Sequence, residues 1–390
     1  MTKTRRRIAF LAGHMITSQL SSGGDIHVSL MAAEMRRLRP DWTIAVIAPA
    51  FASEDLSQYF ERVIALPARL NPQSEERGSV AIAWSWLKRV PSVLTALQEF
   101  RPDLVHSAGD FFPSVLPPSI AKRNLGFAWT SAVYHVNPEP LRRRNAFVRS
   151  LGSFALQRLS FAALKWRCDV ACVLNALTGN ELLALGFDRE KIAIVRAAVD
   201  LRAFPLAKLP PNKKTVLWVH RLESTKGVDD IAMIFQKTGP DVRLDIVGQG
   251  APGAERNLRE QLAAAGLSNR VTVHGYVETE TLHKLFSEAN LFISCSYEEG
   301  FGISIAEALS CGTRCIAYAL PSHEEIFGDV ITTVPPGDTG AFAACIDQLL
   351  SEPDSIAKRN ERHAFVQRYS IEAATLAQLE IFDRLLDNLN

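Results

Sequence analysis

The chain has 390 residues, 47% of them hydrophobic and 22% charged, which is the balance of a globular protein long enough for two domains of ordinary size. Its apolar runs are shorter than the ~18 residues that a membrane-spanning helix needs, and the first residues do not continue into a signal-peptide core. We therefore expect a cytoplasmic protein. The six cysteines form no C-x-x-C pair and have no histidine at metal-ligand spacing, so no metal site is expected.

The net charge of +1 conceals an asymmetry between the two halves of the chain. Residues 1–205 carry 26 Lys and Arg against 17 Asp and Glu, whereas residues 206–390 carry 17 against 25. A basic half predicts an anionic partner, such as a lipid surface or a phosphorylated acceptor. Nucleic acid is not expected, because the basic residues are not interleaved with aromatic stacking positions and no nucleic-acid-binding motif occurs.

The first half alternates short apolar runs with helical patterns. The predicted strands are IAFLAG (8–13), WTIAVIAP (42–49), DLVHSAG (103–109), FAWTSAVYH (127–135) and CDVACVLN (168–175), with helices beginning at Asp25 and around 80–100. This order predicts a doubly wound parallel sheet, whose ligands collect beyond the carboxyl ends of the strands. Asp110, His135 and Asn137 follow two of those strand ends and are candidate binding residues.

From Leu141 to Cys168 the sequence has no acidic residue, and arginines and lysines, including Arg142, Arg143 and Arg144, alternate with large apolar side chains. Such a basic amphipathic helix can lie in a membrane interface. The alternative is a helix whose apolar face belongs to the domain core and whose charged face is solvated.

The second half begins after a proline- and lysine-rich stretch, PLAKLPPNKK (205–214), which predicts an interdomain linker. Further strands are predicted at 215–219, 243–251, 271–277 and 290–296, and a final helix at about 371–389. The strand at 215–219 leads to Arg221 and Lys226. Two cations at a strand's carboxyl end suit a diphosphate leaving group, whose negative charge rises as its bond breaks.

The stretch YEEGFGISIAEALSCG (297–312) joins a glycine-punctuated loop to an apolar, helix-periodic run. A helix N-terminus with Gly300 and Gly302 beside it favours the close approach of a phosphate. A carboxylate would be repelled by that phosphate, so Glu299 is expected to accept hydrogen bonds from sugar hydroxyls, and Glu307 could take those of a ribose.

These two glutamates resemble the E-x7-E signature of retaining glycosyltransferases of the large GT-B family 4, also called glycosyl transferases group 1. The stretch HRLESTKG (220–227) is similar to the family's GR-x4-KG, with His220 in place of the glycine. The resemblance implies a GT-B fold, in which two Rossmann-like domains with doubly wound parallel sheets face a cleft. Residues 1–205 would bind the acceptor, residues 206–370 the nucleotide sugar, and a C-terminal helix at 371–390 would cross back to the first domain.

The resemblance also implies roles for individual residues. The catalytic candidates are His135, Arg221, Lys226 and Glu299. The donor would also meet Gly23, Gly24, His274, Tyr276, Gly300, Phe301, Gly302, Ile303 and Glu307, and the acceptor would meet Asp110 and Asn137. The sequence departs from the family pattern at His220, at Ala197-Ala198, at Arg314 and at Leu320-Pro321-Ser322.

The expected activity is metal-independent transfer of a hexosyl group, with retention of configuration, from a UDP- or GDP-sugar to a hydroxyl acceptor. Glycan, glycolipid or cell-surface polysaccharide biosynthesis is the expected setting, with no cofactor besides the donor and peripheral contact with the inner face of the membrane as an open alternative. Two other functions remain open at this point: a nucleotide-sugar 2-epimerase-type isomerase, and a non-catalytic nucleotide-sugar-binding protein.

Overall fold

A computed structural model describes residues 5–13, 15, 23–67, 79–142, 147–210 and 213–389. The chain divides into two compact units. The first unit comprises Met1–Ala198 and Ile371–Asn390, and the second comprises Val199–Ser370. Arg143 and Arg144 of the predicted basic run lie outside the described residues, as does part of the predicted linker.

The first unit contains a parallel sheet with helices on both faces. Its strands are β1 (Arg6–Leu11), β2 (Trp42–Pro49), β3 (Arg62–Leu66), β4 (Leu104–Ser107), β5 (Ala128–Val133), β6 (Val170–Val173) and β7 (Ile192–Ile194), in the order β3-β2-β1-β4-β5-β6-β7. Its helices are α1 (Gly23–Leu38), α2 (Ser53–Ser57), α3 (Ser79–Phe100), α4 (Phe112–Leu125), α5 (Phe147–Arg167), α6 (Ala176–Ala184) and α14 (Ile371–Asp387).

Alternate residues of β1 explain why helices cover both faces of this sheet. Ile8 and Phe10 belong to one buried apolar cluster, and Ala9 and Leu11 belong to another. Successive side chains of a strand point to opposite faces of the sheet. A strand whose residues are all apolar can therefore bury them only if a hydrophobic core lies on each face.

The C-terminal helix α14 belongs to the first unit. Its Phe382 is fully buried and its ring lies 6.4 Å from that of Phe10 and 6.5 Å from that of Trp42. Asp383 accepts hydrogen bonds from Arg39 at 2.6 and 2.8 Å. Truncating a buried phenylalanine of this kind costs about 3–5 kcal/mol, so α14 is part of the first unit's core rather than an appendage.

The second unit has the same architecture. Its strands are β8 (Thr215–Val219), β9 (Arg243–Val247), β10 (Val271–Gly275), β11 (Leu291–Ser294), β12 (Arg314–Tyr318) and β13 (Thr332–Val334), all parallel, in the order β10-β9-β8-β11-β12-β13. Its helices are α7 (Ile231–Phe235), α8 (Ala254–Ala264), α9 (Thr279–Glu288), α10 (Ile303–Ser310), α11 (Pro321–Phe327), α12 (Thr339–Ser351) and α13 (Ile356–Val366). The predicted fold class of two Rossmann-like parallel-sheet domains is confirmed.

The stretch expected to link the domains packs largely against the second unit. The contacts divide at Ala198, a few residues before the predicted boundary at 205. Ser310 donates a hydrogen bond to the Phe204 carbonyl at 2.6 Å, and the Ala207 amide donates to the Cys311 carbonyl at 3.2 Å. The functional division into an acceptor and a donor domain stays a prediction.

All six cysteines are free thiols, and five of them are buried. Within the described ranges, the structure has no helix that is both long and apolar enough to cross a membrane.

Candidate active site

The loops after β8 and β11, neighbouring strands of the second sheet, lie side by side at the carboxyl edge. The Tyr297 amide donates to the Thr225 carbonyl at 2.8 Å. Gly227 has a φ of +74°, and a Cβ built on it would lie 2.0 Å from the Cys295 carbonyl oxygen. Only glycine fits this contact, which explains the Lys-Gly pair in the sequence. The contact fixes Lys226 against the loop between β11 and α10 (residues 295–302), which we call the signature loop.

Lys226 and Glu299, predicted separately, form an ion pair at this edge. The Lys226 Nζ donates to Glu299 Oε1 at 2.7 Å and to the Glu298 carbonyl at 2.9 Å. The two side chains are only 16% and 13% exposed. Burial would raise the pKa of Glu299, but the ammonium of Lys226 outweighs it and holds that pKa at about 2. The Glu299 carboxylate is therefore ionised at neutral pH.

A buried ion pair is weak evidence for stability, because desolvation of the two charges offsets most of their attraction. It is better evidence for a site that needs charge. The ammonium has three N–H donors, and the described residues engage two of them, so a ligand oxygen can take the third.

Helix α10 begins directly beside this pair. Its first residue, Ile303, follows Gly302, which has a φ of +96°. The unpaired N–H groups and the positive end of the dipole at this N-terminus favour an anion. Phe301, which is predicted to touch the donor, is 2% exposed and packs edge-on against Phe327 and Tyr369, so its side chain anchors the loop in the core.

Two histidines flank Glu299: His220, which the sequence places at the family's glycine position, and His323, which the sequence did not mark. His220 Nδ1 lies 3.8 Å from Glu299 Oε1, and its ring packs against Trp218. Burial lowers the pKa of His220 to about 3 despite the nearby carboxylate, so the ring is neutral. The side chain that replaces the family's glycine therefore adds bulk and a polar nitrogen to this edge without adding charge.

His323 is fully buried, and its Nδ1 lies 2.9 Å from the Tyr318 carbonyl. Burial lowers the pKa of this histidine as well. Because a carbonyl only accepts, Nδ1 must carry the proton, which leaves Nε2 as an acceptor. Nε2 has no partner among the described residues and lies 3.5 Å from a Cβ built on Gly302.

The unusual turn Leu320-Pro321-Ser322 is in direct contact with the signature loop. Pro321 begins α11, and the Ser322 hydroxyl donates to the Glu299 carbonyl at 2.8 Å. The turn that departs from the family pattern therefore supports the backbone of Glu299. The sequence alone does not indicate this contact.

The structure does not place Arg221 alongside Lys226 as a second buried cation. Its side chain is 56% exposed and pairs with Glu223 at 2.9 Å.

Glu307 lies on α10, half-buried, and burial together with the nearby Asp200 raises its pKa to about 8. The part of the chain that is described contains no cluster of His, Cys, Asp and Glu arranged for a metal ion.

Of the two residues predicted near the nucleotide base, His274 lies in the edge strand β10 and Tyr276 directly follows it. His274 Nε2 lies 2.7 Å from Asp245 Oδ1, and Tyr276 is 55% exposed. Gly300 is half-buried within the signature loop.

In the first unit, Gln157 of α5 holds the predicted polar residues together. Its Nε2 donates to Asp110 Oδ2 at 2.7 Å and to the His135 carbonyl at 2.9 Å, and its Oε1 accepts from the Asn137 amide at 2.8 Å. His135 Nε2 in turn lies 3.1 Å from Asn137 Oδ1. A single glutamine on a helix carries no sequence pattern, so this residue was missed.

Gly23 and Gly24 form the first residues of α1, two residues before the predicted start. A Cβ on Gly24 would lie 2.7 Å from the Tyr134 ring, and the Tyr134 hydroxyl lies 3.1 Å from the Gly24 carbonyl. Gly24 therefore lets α1 approach the loop after β5 closely, within the first unit.

Several solved structures share this fold. Sucrose-phosphate synthase of Thermosynechococcus elongatus aligns with a TM-score of 0.83 at 19% identity, covering 98% of this chain and 100% of that one. Alr3699/HepE of Anabaena, in complex with UDP and glucose, aligns with a TM-score of 0.76 at 17% identity, covering 97% and 100%. The fold is thus the GT-B fold of glycosyltransferases.

Residues 203–368 match the family described as Glycosyl transferases group 1, so this part of the chain, which contains the Lys226–Glu299 edge, is a group 1 glycosyltransferase domain. The chain is 26% identical over 308 residues to 2-deoxystreptamine N-acetyl-D-glucosaminyltransferase of Streptomyces fradiae, covering 72% of this chain and 71% of the relative. It is 25% identical over 290 residues to GDP-mannose:cellobiosyl-diphosphopolyprenol alpha-mannosyltransferase of Xanthomonas oryzae pv. oryzae, covering 72% and 73%. The resemblance found in the sequence is confirmed, and the protein is a glycosyltransferase.

Proposed function

We propose that this glycosyltransferase moves a hexosyl group from a UDP- or GDP-linked sugar to a hydroxyl acceptor, with retention of configuration and without a metal ion. The observation that carries the proposal is the Lys226–Glu299 pair beside the N-terminus of α10. The negative charge on a diphosphate rises as the diphosphate leaves, so nearby positive charge stabilises it more at that stage. This edge provides the Lys226 ammonium and the positive end of the α10 dipole. Relatives named for a GDP-sugar and neighbours named for UDP support a nucleotide-sugar donor.

In the proposed reaction the acceptor hydroxyl oxygen forms a bond to the anomeric carbon on the face from which the diphosphate departs. The bond from that carbon to the phosphate oxygen breaks, and its electron pair stays on the diphosphate. The acceptor proton passes to a phosphate oxygen on the same face. Lys226 would then interact with the leaving phosphate, and Glu299 with the sugar hydroxyls, as the resemblance implies.

The first-unit residues Asp110, His135 and Asn137 are assigned to the sugar or acceptor side. Their contacts support this, because the polar side chains are gathered at the strand ends of the first sheet around one buried amide. The donor sugar, the acceptor and a role in polysaccharide biosynthesis are part of the same proposal. No feature of the described residues favours the isomerase or the non-catalytic binding protein.

The test is to incubate the enzyme with UDP-glucose, UDP-N-acetylglucosamine or GDP-mannose and a panel of hydroxyl acceptors, and to follow the anomeric configuration of the product by NMR. Glu299→Gln keeps the side-chain shape but loses the carboxylate, so transfer should fall at least tenfold while nucleotide diphosphate binding stays within about twofold. Glu288→Gln, which alters only the exposed pair with Lys284 on α9, is the matched control. A product of inverted configuration would refute the retaining mechanism, and a donor converted without transfer would favour the isomerase.

A further inference from the structure

Helix α5 is apolar on its exposed face as well as on its buried face. Leu151, Ala155, Leu159, Ala162 and Trp166 are all exposed, and their spacing places them along one side of the helix. Trp166 is 78% exposed and Leu159 is 59% exposed. The opposite side already supplies Phe161 and Leu164 to the core. We call the five exposed residues the α5 stripe; it differs from the solvated, charged face that a core helix would present.

The α5 stripe continues onto the neighbouring helix α4. Trp166 and Arg167 line a shallow groove of about 600 Å³ together with Ile120 and Arg123 of α4. Ile120 is itself 49% exposed. A contiguous apolar surface with cations at its rim is typical of an interaction site rather than of scattered surface residues.

The charge of this face has one sign. Neither α4 nor α5 contains an acidic residue. Lys122 of α4 is paired with Asp169, which follows α5. The guanidinium groups of Arg123 and Arg167 have no acidic partner among the described residues, so the groove keeps its positive charge.

We propose that the α4–α5 face docks on the surface of an anionic lipid bilayer. The stripe would lie at the boundary between headgroups and acyl chains, where tryptophan is favoured, and Arg123 and Arg167 would bind lipid phosphates. The charge argues against a second copy of this chain as the occupant. A two-fold contact would bring the same cations together with no carboxylate on either helix to compensate them.

The test is cosedimentation of the full chain with vesicles of phosphatidylcholine alone and of phosphatidylcholine mixed with phosphatidylglycerol. The wild type should bind the anionic vesicles at least tenfold more tightly than the neutral ones. Leu159→Ser with Trp166→Ser should lose at least tenfold in partitioning to anionic vesicles, and so should Arg123→Gln with Arg167→Gln. Ile356→Ser, an equally exposed apolar position on α13, should leave partitioning unchanged. Circular dichroism melts establish that each variant is folded.

Equal sedimentation of the wild type with both vesicle types would overturn the proposal. So would a folded Leu159→Ser, Trp166→Ser variant that partitions like the wild type. If sedimentation velocity shows self-association that the same variant abolishes, while neither protein binds vesicles, the face is a contact between copies and the lipid assignment is wrong.

Discussion

The two units share one architecture but build their carboxyl edges from different chemistry. The second unit joins β8 and β11 with a charged pair, Lys226 and Glu299, supported by backbone carbonyls. The first unit joins the ends of β4 and β5 through the neutral amide of Gln157. A charged pair can exchange partners with an anionic ligand, whereas a neutral amide fixes geometry. Similar sheets therefore carry different side-chain chemistry at this edge, because the loops and not the strands supply it.

The largest expected effect comes from removing the cation. Lys226→Met should lower turnover about 10²–10³-fold, because the departing diphosphate loses a preorganised donor. It should also destabilise the fold by up to about 3–5 kcal/mol, since Glu299 is left buried without its counter-ion. Steady-state kinetics and urea unfolding measure the two effects separately.

The double variant Lys226→Met, Glu299→Gln tests that separation. It removes both charges, so it should recover most of the stability and none of the turnover. Lys237→Met is the control, since its ammonium donates to Thr339 at 2.8 Å within the same unit and away from the pair. Wild-type turnover in Lys226→Met would show that the charged edge is not the donor site.

A smaller, pH-dependent effect is expected in the first unit. Gln157→Glu places a second carboxylate beside Asp110, at the position of a 2.7 Å hydrogen bond. Repulsion between the two carboxylates raises the pKa at which they take up a proton. As the pH falls, a proton shared between them restores the hydrogen bond between positions 157 and 110. Transfer should drop at least about tenfold near pH 8 and recover towards pH 5. Gln157→Met, which cannot titrate, should be impaired equally at both values, and a pH-independent loss in Gln157→Glu would mean that the amide is only a packing element.

The smallest effect concerns the stability of the second unit. The pKa of Glu307 is about 8, raised above the ordinary 4.5 of the unfolded chain. The folded state therefore binds a proton that the unfolded state has released, so stability falls as the pH rises from about 4.5 to 8. Glu307→Gln should remove this penalty and raise the melting temperature by a few degrees near pH 8 but not near pH 4.5. Equal shifts at both pH values would show that Glu307 is not protonated in the fold.

Sequence patterns located the buried strands best. β2 and β8 have the predicted bounds, because central parallel strands are continuous apolar runs between polar turns. β3, β7 and β13 were not predicted. They are short or lie at the edges of their sheets and are largely exposed, so their residues lack the apolar run that marks a strand.

The candidate site was predictable only as separate pieces. Lys226 and Glu299 were each identified from local motifs, but their contact spans 73 residues and depends on the β8–β11 pairing. The outward orientation of Arg221 follows from the exposed Glu223 beside it, which no motif marks. His323 presents one buried ring nitrogen, and Gln157 presents one buried amide. Single polar groups of this kind produce no periodic pattern in the sequence.

The packing of Gly227 against Cys295 joins two segments that the ribosome makes at different times. The ribosome completes β8, β9 and β10 before it adds β11, so the Lys226 loop emerges long before the carbonyls and the carboxylate that hold it. Contacts between distant segments form late, because the intervening chain must first be ordered. A nascent chain that stops short of Glu299 can therefore pair its first strands, yet Lys226 has neither its counter-ion nor its backbone acceptor. The candidate donor edge of this unit is complete only once the signature loop has been translated and β11 has docked.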